Sequence, residues 1–324
     1  MLSSGASARR RQRMNFCTQI FTNYYAVALF AALLVAGSAI GCAPEDPATR
    51  DGPAASENPA AEAAAPEGPA RGAAAIPPPA RYAAAREAHI EELLSEMTLA
   101  KKVGQLLIVH LASPQTGRAL TELGAGMKAV LGDVRPGGVV LYGGNIEDVE
   151  QLTSLIDAVR EASSLSPFVA LDEEGGLVSR LKHLGPGKAT RLPPAADIGA
   201  AGDALLAYRA GRALGRELRS LGFNLTFAPV VDVARPGDNP FLETRTFSGD
   251  PEEVARLAVP FLRGLQNHGV SAGAKHFPGH GTAEEDSHYG PATVTASRDE
   301  LLQRHWLPFG RVLAAGTDAI MMAH

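Results

Sequence analysis

Three histidines, a lysine and three carboxylates fall within the fourteen residues that run from Lys275-His276-Phe277-Pro278-Gly279-His280-Gly281 through Thr282-Ala283-Glu284-Glu285 to Asp286-Ser287-His288. The glycines and proline exclude a regular helix, so the segment reads as a loop after a strand. Asp286 and His288, two apart, can form a carboxylate–imidazole pair that fixes the tautomer and raises imidazole basicity, as a general acid/base near neutral pH requires. A zinc site from His276, His280, His288 and Asp286 is the competing chemistry. Against it, the Pro278-Gly279 break removes the helical spacing that makes two histidines converge, and Lys275 would place a cation beside the ion.

Two further segments carry polar groups of the same kind. Leu171-Asp172-Glu173-Glu174-Gly175-Gly176, followed by Arg180, ends an apolar run in carboxylates, and the glycines permit a sharp turn. Carboxylates beside an arginine suit sugar hydroxyls, which need acceptors and donors together. Phe227-Ala228-Pro229-Val230-Val231-Asp232-Val233 leads through Asp238-Asn239-Pro240, which reads as turn chemistry, to Arg245. From its loop, Arg245 can reach the same place as Asp172 and Lys275 with a fixed fork of donors. Gly185-Pro186-Gly187-Lys188-Ala189-Thr190 only faintly resembles a phosphate loop, since Ala189 stands where a magnesium-binding hydroxyl belongs. His268 reads as a cap-side histidine near a helix end.

The elements that must position these residues follow from the apolar pattern. A helix is expected over Arg81–Lys102, then strands in Gln105–His110, Gly138–Tyr142, Phe168–Leu171, Leu225–Val233, Val270–Lys275 and Ala319–Ala323. Helical patterns lie between them near 118–131, 147–162, 203–220, 251–268 and 299–315. Nearly continuous apolar strands alternating with helices describe an α/β fold whose parallel sheet is covered on both faces. A dinucleotide-binding fold would need a glycine fingerprint after the first strand, and Ile108-Val109-His110-Leu111-Ala112-Ser113 has none. A (β/α)8 TIM-type barrel fits better, because Asp172, Asp232, Lys275, His276 and His324 gather just past strand ends. Only about six of its eight strand units are present, so the chain is expected to be C-terminally incomplete.

The net charge is −5, and residues 1–41 hold four arginines and no acid, which leaves −9 for the remainder. That balance disfavours a nucleic-acid partner. Both cysteines, Cys17 and Cys42, precede the body, which therefore has neither a disulfide framework nor a thiol nucleophile. The basic stretch at 8–13 and the uncharged run Tyr24–Gly41 read as an export signal over residues 1–41, and small residues before Cys42 resemble a lipoprotein processing box. Ala39 stands where leucine is usual, and an uncleaved anchor or ordinary secretion are the alternatives. All three put the body outside the cytoplasm, facing the periplasm or cell exterior. Residues 43–80 hold fourteen Ala and nine Pro, with Ile76 the only large aliphatic residue. Residues 42–80 are therefore expected to be a disordered tether, with the folded domain over 81–324.

Residues 88–324 resemble the N-terminal barrel of glycoside hydrolase family 3, specifically its β-N-acetylglucosaminidase (β-hexosaminidase) branch. The marks are Asp172-Glu173-Glu174-Gly175-Gly176, the Asn224–Asp232 strand, Asp238-Asn239-Pro240 with Arg245, and Lys275–Gly281 followed after four residues by Asp286-Ser287-His288. The resemblance implies a retaining glycosidase acting on terminal β-linked N-acetylglucosamine of peptidoglycan- or chitin-derived glycans. It makes His288 the proton donor, Asp286 its partner, and Asp172, Arg180, Arg245, Lys275 and His276 the residues that hold the sugar. It implies no metal or cofactor and a glycan substrate; membrane attachment, through lipid on Cys42, is expected from the processing box instead. Leu177 departs from the family's frequent arginine. The nucleophilic aspartate is expected beyond residue 324, so the chain as given is expected to be inactive. A non-catalytic sugar-binding lipoprotein and a metal-dependent hydrolase are the competing readings.

Overall fold

The computed structural model describes residues 79–113, 115–283 and 293–323. Cys42, the leader, nearly all of the tether, and the Asp286–His288 pair lie outside the described residues. The described chain divides at Met97 into a helical segment and a compact body that starts at Thr98. No helix among the described residues is long and apolar enough to cross a membrane.

The first expected helix is two. Helix α1, Pro79–Glu96, ends before Thr98, whose extended backbone and side-chain oxygen cap α2, Leu99–Gln105, by accepting the Lys101 N–H. A threonine ahead of a helical stretch competes for the backbone and starts a new helix rather than prolonging the old one. In the body there follow β1 (Ile108–His110), α3 (Ala125–Val134), β2 (Gly138–Val140), α4 (Val149–Ala162) and β3 (Phe168–Leu171). Next come the short strands β4 (Glu173–Gly175) and β5 (Val178–Ser179), then α5 (Ala195–Ala201), α6 (Ala204–Leu221), β6 (Leu225–Thr226), α7 (Pro251–Gln266) and β7 (Ser271–Phe277). The last elements are α8 (Arg298–Glu300), a π-helical turn (Leu301–His305), α9 (Trp306–Ala314) and β8 (Ala319–Met322).

Six strands form one parallel sheet in the order β1-β2-β3-β6-β7-β8, flanked by helices: a partial (β/α) barrel with the six units expected. The run Leu225–Val233 is shorter as a strand than its composition promised. Only Leu225 and Thr226 pair regularly, and Val230 rejoins the sheet through a single bridge to Lys275. Pro229 between them has no N–H to give a ladder. The main core packs Val139, Val169 and Leu171 of the sheet against Leu152, Ile156, Leu214, Leu218, Phe261 and Leu265 of the helices. Helices α6 and α7 show why their sequences look amphipathic: Ala207, Leu214 and Leu218 are buried, while the intervening arginines are exposed.

Asn145 ties the first two strand ends together. Its buried amide donates to the carbonyls of Leu111 and Leu120, each at 2.8 Å, and accepts the Tyr142 N–H at 2.9 Å. The chain after β3 turns at once into the β4–β5 hairpin, which sequence periodicity did not reveal because its residues are charged or glycine. Gly175 and Gly176 both have positive φ, a backbone that side chains strain to adopt.

Candidate active site

The C-terminal ends of the parallel strands carry a connected set of charges. Lys275, on β7, is 2% exposed, and its ammonium lies 2.8 Å from Asp172 Oδ1 and 2.6 Å from Glu174 Oε1. Asp172 follows β3 directly and also faces Arg180 at 3.6 Å. Glu174, on the hairpin strand β4, accepts two hydrogen bonds from Arg245, from Nε and Nη2, each 2.8 Å long. The sequence expected Asp172, Arg180, Arg245, Lys275 and His276 at one place. The structure brings them together, and adds Glu174 as the anion that holds two of the cations.

Burial alone would drive Lys275 towards its neutral form, but the two carboxylates outweigh it and raise its pKa above the ordinary lysine value. Burial likewise would raise Asp172 and Glu174. Lys275, with Arg180 for the former and Arg245 for the latter, holds both below the usual carboxylate range. Both are therefore anions and acceptors, unsuited to donate a proton at neutral pH. Glu173, one residue away, differs: burial pushes it up, against hydrogen bonds accepted from the N–H groups of Arg180 at 2.7 Å and Leu181 at 2.9 Å.

A second assembly lies beside the first. Asp232, fully buried, meets His276 Nδ1 at 2.6 Å and accepts the backbone N–H of His276 at 3.1 Å and of His280 at 2.7 Å. Despite the burial that would raise it, His276 and these N–H donors keep the Asp232 carboxyl below its ordinary value. An ionised carboxylate only accepts, so Nδ1 of His276 carries the proton and Nε2 is left for a ligand or a second donor. The Lys275–His276 and Phe277–Pro278 peptide bonds are cis. Buried Asn239 donates to the His280 carbonyl at 3.1 Å, so the Asp238-Asn239-Pro240 turn supports this loop from below.

Sequence reasoning missed the partners more than the principals. In the sequence Asp232 stands out for its place past a strand end and Glu174 as part of an acidic turn, neither as the partner of a named cation or imidazole. Tyr142, at the end of β2, is 37% exposed; Arg180 stands 5.7 Å from its ring centre, and His110 meets it edge-on at 4.7 Å. His305, in the π-helical turn, is fully buried with neither ring nitrogen hydrogen-bonded, against Gly279. A Cβ at Gly279 would fall 2.5 Å from that of His305, and Gly279 has φ +121°, so glycine is required there twice over. Trp306 follows, its ring 5.7 Å from Phe277. Only the apolar-to-polar switch at each strand end could have pointed to Asp232, and nothing in the spacing marked His305.

Among the described residues no group of three or more His, Cys, Asp or Glu is placed to hold a metal ion. The arrangement presents carboxylates, guanidinium groups and an imidazole side by side, a surface of acceptors and donors suited to a polyhydroxylated ligand. Asp286 and His288, the expected proton-transfer pair, lie outside the described residues.

The sequence profile described as the glycosyl hydrolase family 3 N-terminal domain matches residues 98–324. A β-hexosaminidase of Stenotrophomonas maltophilia (strain K279a) is 40% identical over 214 residues, which is 64% of this chain and 62% of that protein. β-Hexosaminidase A of Pseudoalteromonas piscicida is 33% identical over 256 residues, 73% of this chain and 42% of that one. The chain thus spans less than two thirds of the curated relatives' length. Among solved structures, a glycoside hydrolase family 3 β-N-acetylglucosaminidase from Paenibacillus sp. str. FPU-7 superposes with TM-score 0.64 and 37% identity, over 70% of this chain and 42% of that one. NagZ from Neisseria gonorrhoeae in complex with N-trifluoroacetyl-D-glucosamine superposes with TM-score 0.61 and 33% identity, over 67% of this chain and 62% of that one.

Proposed function

Because the chain belongs to glycosyl hydrolase family 3 through its N-terminal domain, we propose that the protein removes terminal, non-reducing β-linked N-acetylglucosamine from glycans derived from peptidoglycan or chitin. The observation that carries this reading is the Asp172–Lys275–Glu174–Arg245 network at the strand C-termini, where barrels place chemistry. Asp172, Arg180, Arg245 and His276 retain exposed surface there and contact the sugar. Lys275, buried, keeps Asp172 ionised and in place for a hydroxyl.

The anions of the network are all committed to cations, so they make poor proton donors. The family resemblance gives the donor's task to His288, assisted by Asp286. The nucleophile that the family resemblance implies is an aspartate, a part that no described residue is assigned. Its carboxylate attacks the anomeric carbon as the glycosidic bond breaks and His288 gives its proton to the leaving oxygen. In the second step His288 takes a proton from water, which displaces the carboxylate and releases the sugar with its configuration retained.

We also propose that Cys42 is lipidated after export and that the body faces the periplasm or cell exterior. Incorporation of labelled fatty acid, abolished by Cys42→Ser, is the result expected; unchanged incorporation overturns it. For the activity, the test is turnover of an aryl β-N-acetylglucosaminide by the whole natural protein beside residues 1–324 alone. Hydrolysis by the former and not by the latter is expected. Hydrolysis by residues 1–324 alone refutes the placement of the nucleophile, and ligand binding without turnover by the whole protein favours a sugar-binding lipoprotein.

A further inference from the structure

Helix α6 carries Arg209, Arg212, Arg216 and Arg219, all exposed and none with its side chain in an ion pair or hydrogen bond among the described residues. At about 100° per residue the four fall within about 80° of arc, and the row is about 15 Å long. Glu217, the helix's only acid, projects outside that arc and is engaged with the Thr190 N–H at 2.7 Å. Four unpaired cations are thus segregated on one face of a body that is otherwise acidic. Guanidinium groups left without counter-charges in such a row favour an anionic partner.

At the C-terminal end of the row the surface opens into a polar cavity of about 370 Å³. Arg219 and Ser220 line it from α6, Arg160 and Asp157 from α4, and Asn224 from the approach to β6. Arg160 is held there by donating to the Gly222 carbonyl and by a 3.4 Å contact with Asp157. Two guanidinium groups, against the single Asp157 carboxylate, line a space large enough for a phosphate. At the other end of the helix, Leu205 is 52% exposed on the same arc, and Leu206 beside it is also exposed.

We propose that this face is a docking surface for an anionic phospholipid bilayer, with the arginine row along the headgroups and a lipid phosphate between Arg160 and Arg219. Exposed leucines next to the cations fit the boundary between headgroups and acyl chains better than they fit a soluble polyanion. Residues 42–80, fully extended, reach at most about 140 Å, so a body attached through Cys42 has a bilayer within range. The surface is separate from the sugar site, and its test does not depend on hydrolysis.

The experiment uses the full chain with Cys17→Ser, Cys42→Ser and Ala201→Cys, labelled with an environment-sensitive fluorophore at exposed position 201, beside the leucine end of the row and outside the cavity. No lipid can then attach at Cys42, and the label reports on the barrel face rather than the leader. Vesicles of phosphatidylglycerol with phosphatidylcholine should brighten and blue-shift the label; phosphatidylcholine alone should not. Salt at about 0.5 M, where charges screen within a few ångström, should reverse the effect. Replacing the four arginines by glutamine should weaken it about tenfold or more, whereas replacement by lysine should largely preserve it, with far-UV circular dichroism confirming the fold. An equal response on both vesicles, or a response indifferent to the glutamine variant, overturns the proposal. So does binding of soluble polyphosphate without a vesicle response, which would assign the face to a polyanion.

Discussion

The Lys275 ammonium is 2.6 Å from Glu174 Oε1, and neither side chain is appreciably exposed: this pair joins β7 to the hairpin that follows β3. A buried pair of this kind contributes little relative to apolar residues of the same shape, but breaking it from one side leaves a charge without its partner. Glu174→Gln should therefore cost about 3 kcal/mol or more, with Arg245 also losing its bidentate acceptor. Glu174→Gln with Lys275→Met should cost less than the two single changes summed. Denaturant midpoints for the double-mutant cycle check this, and additive losses would contradict it.

Glu173 and Glu174 are neighbours that respond to pH in opposite senses. Glu174 is held below its unfolded value, so its contribution is present above that value and disappears as pH falls through the folded one. Glu173 is raised, so its contribution is complete at low pH and is lost as pH rises through its folded value. Glu173→Gln keeps an acceptor for the Arg180 and Leu181 N–H groups without the charge. The variant should stay within about 1 kcal/mol of the parent near pH 4 and gain on it as the pH rises to about 7. A parent–variant difference that does not change with pH would rule this out.

His305 provides a separate acid sensitivity. Burial lowers its pKa, reinforced by Arg304 and only partly opposed by Asp232, Glu300 and Asp238. The unfolded chain therefore binds the proton more readily, and stability is lost as pH falls from the unfolded value near 6.5 through the lower folded one. His305→Leu should flatten melting temperature against pH across that range while changing stability above pH about 7.5 by less than about 1.5 kcal/mol. A slope equal to the parent's would exclude His305 as its source.

In the whole protein, His288→Ala should slow glycosyl transfer least for substrates whose leaving groups need no protonation, such as nitrophenol, and most for a sugar alcohol. The change is read from the slope of log(kcat/KM) against leaving-group pKa. Equal losses across the series would argue against proton donation, and loss of activity on chelation would revive the zinc reading.

The barrel was legible because a parallel sheet covered on both faces leaves near-continuous apolar runs, and each of the six runs became a strand of the sheet. The site was legible as a set of strand-end residues, but not as a network. Arg245 and Glu174 are 71 residues apart and His276 and Asp232 are 44 apart, separations that no local period can register. The β4–β5 hairpin escaped because Glu173, Glu174 and Gly175 carry no apolar alternation, yet burial by the surrounding chain makes it a strand. The break at Thr98 was available as an N-cap signal but was overrun by a helical pattern on either side. His305 fell inside a helical pattern, and neither its π-helical turn nor its close approach to Gly279 leaves a mark in that pattern.

The contact between Trp306 and Phe277 gives the protein an optical handle. Trp306 is the chain's sole tryptophan, and Phe277 directly follows His276. Its emission is therefore a one-residue spectroscopic report from beside the loop that carries His276. Arrival of a ligand at His276, or loosening of the Pro278–Gly281 turn, can be followed as a change in indole fluorescence, with no extrinsic dye and no competing tryptophan signal.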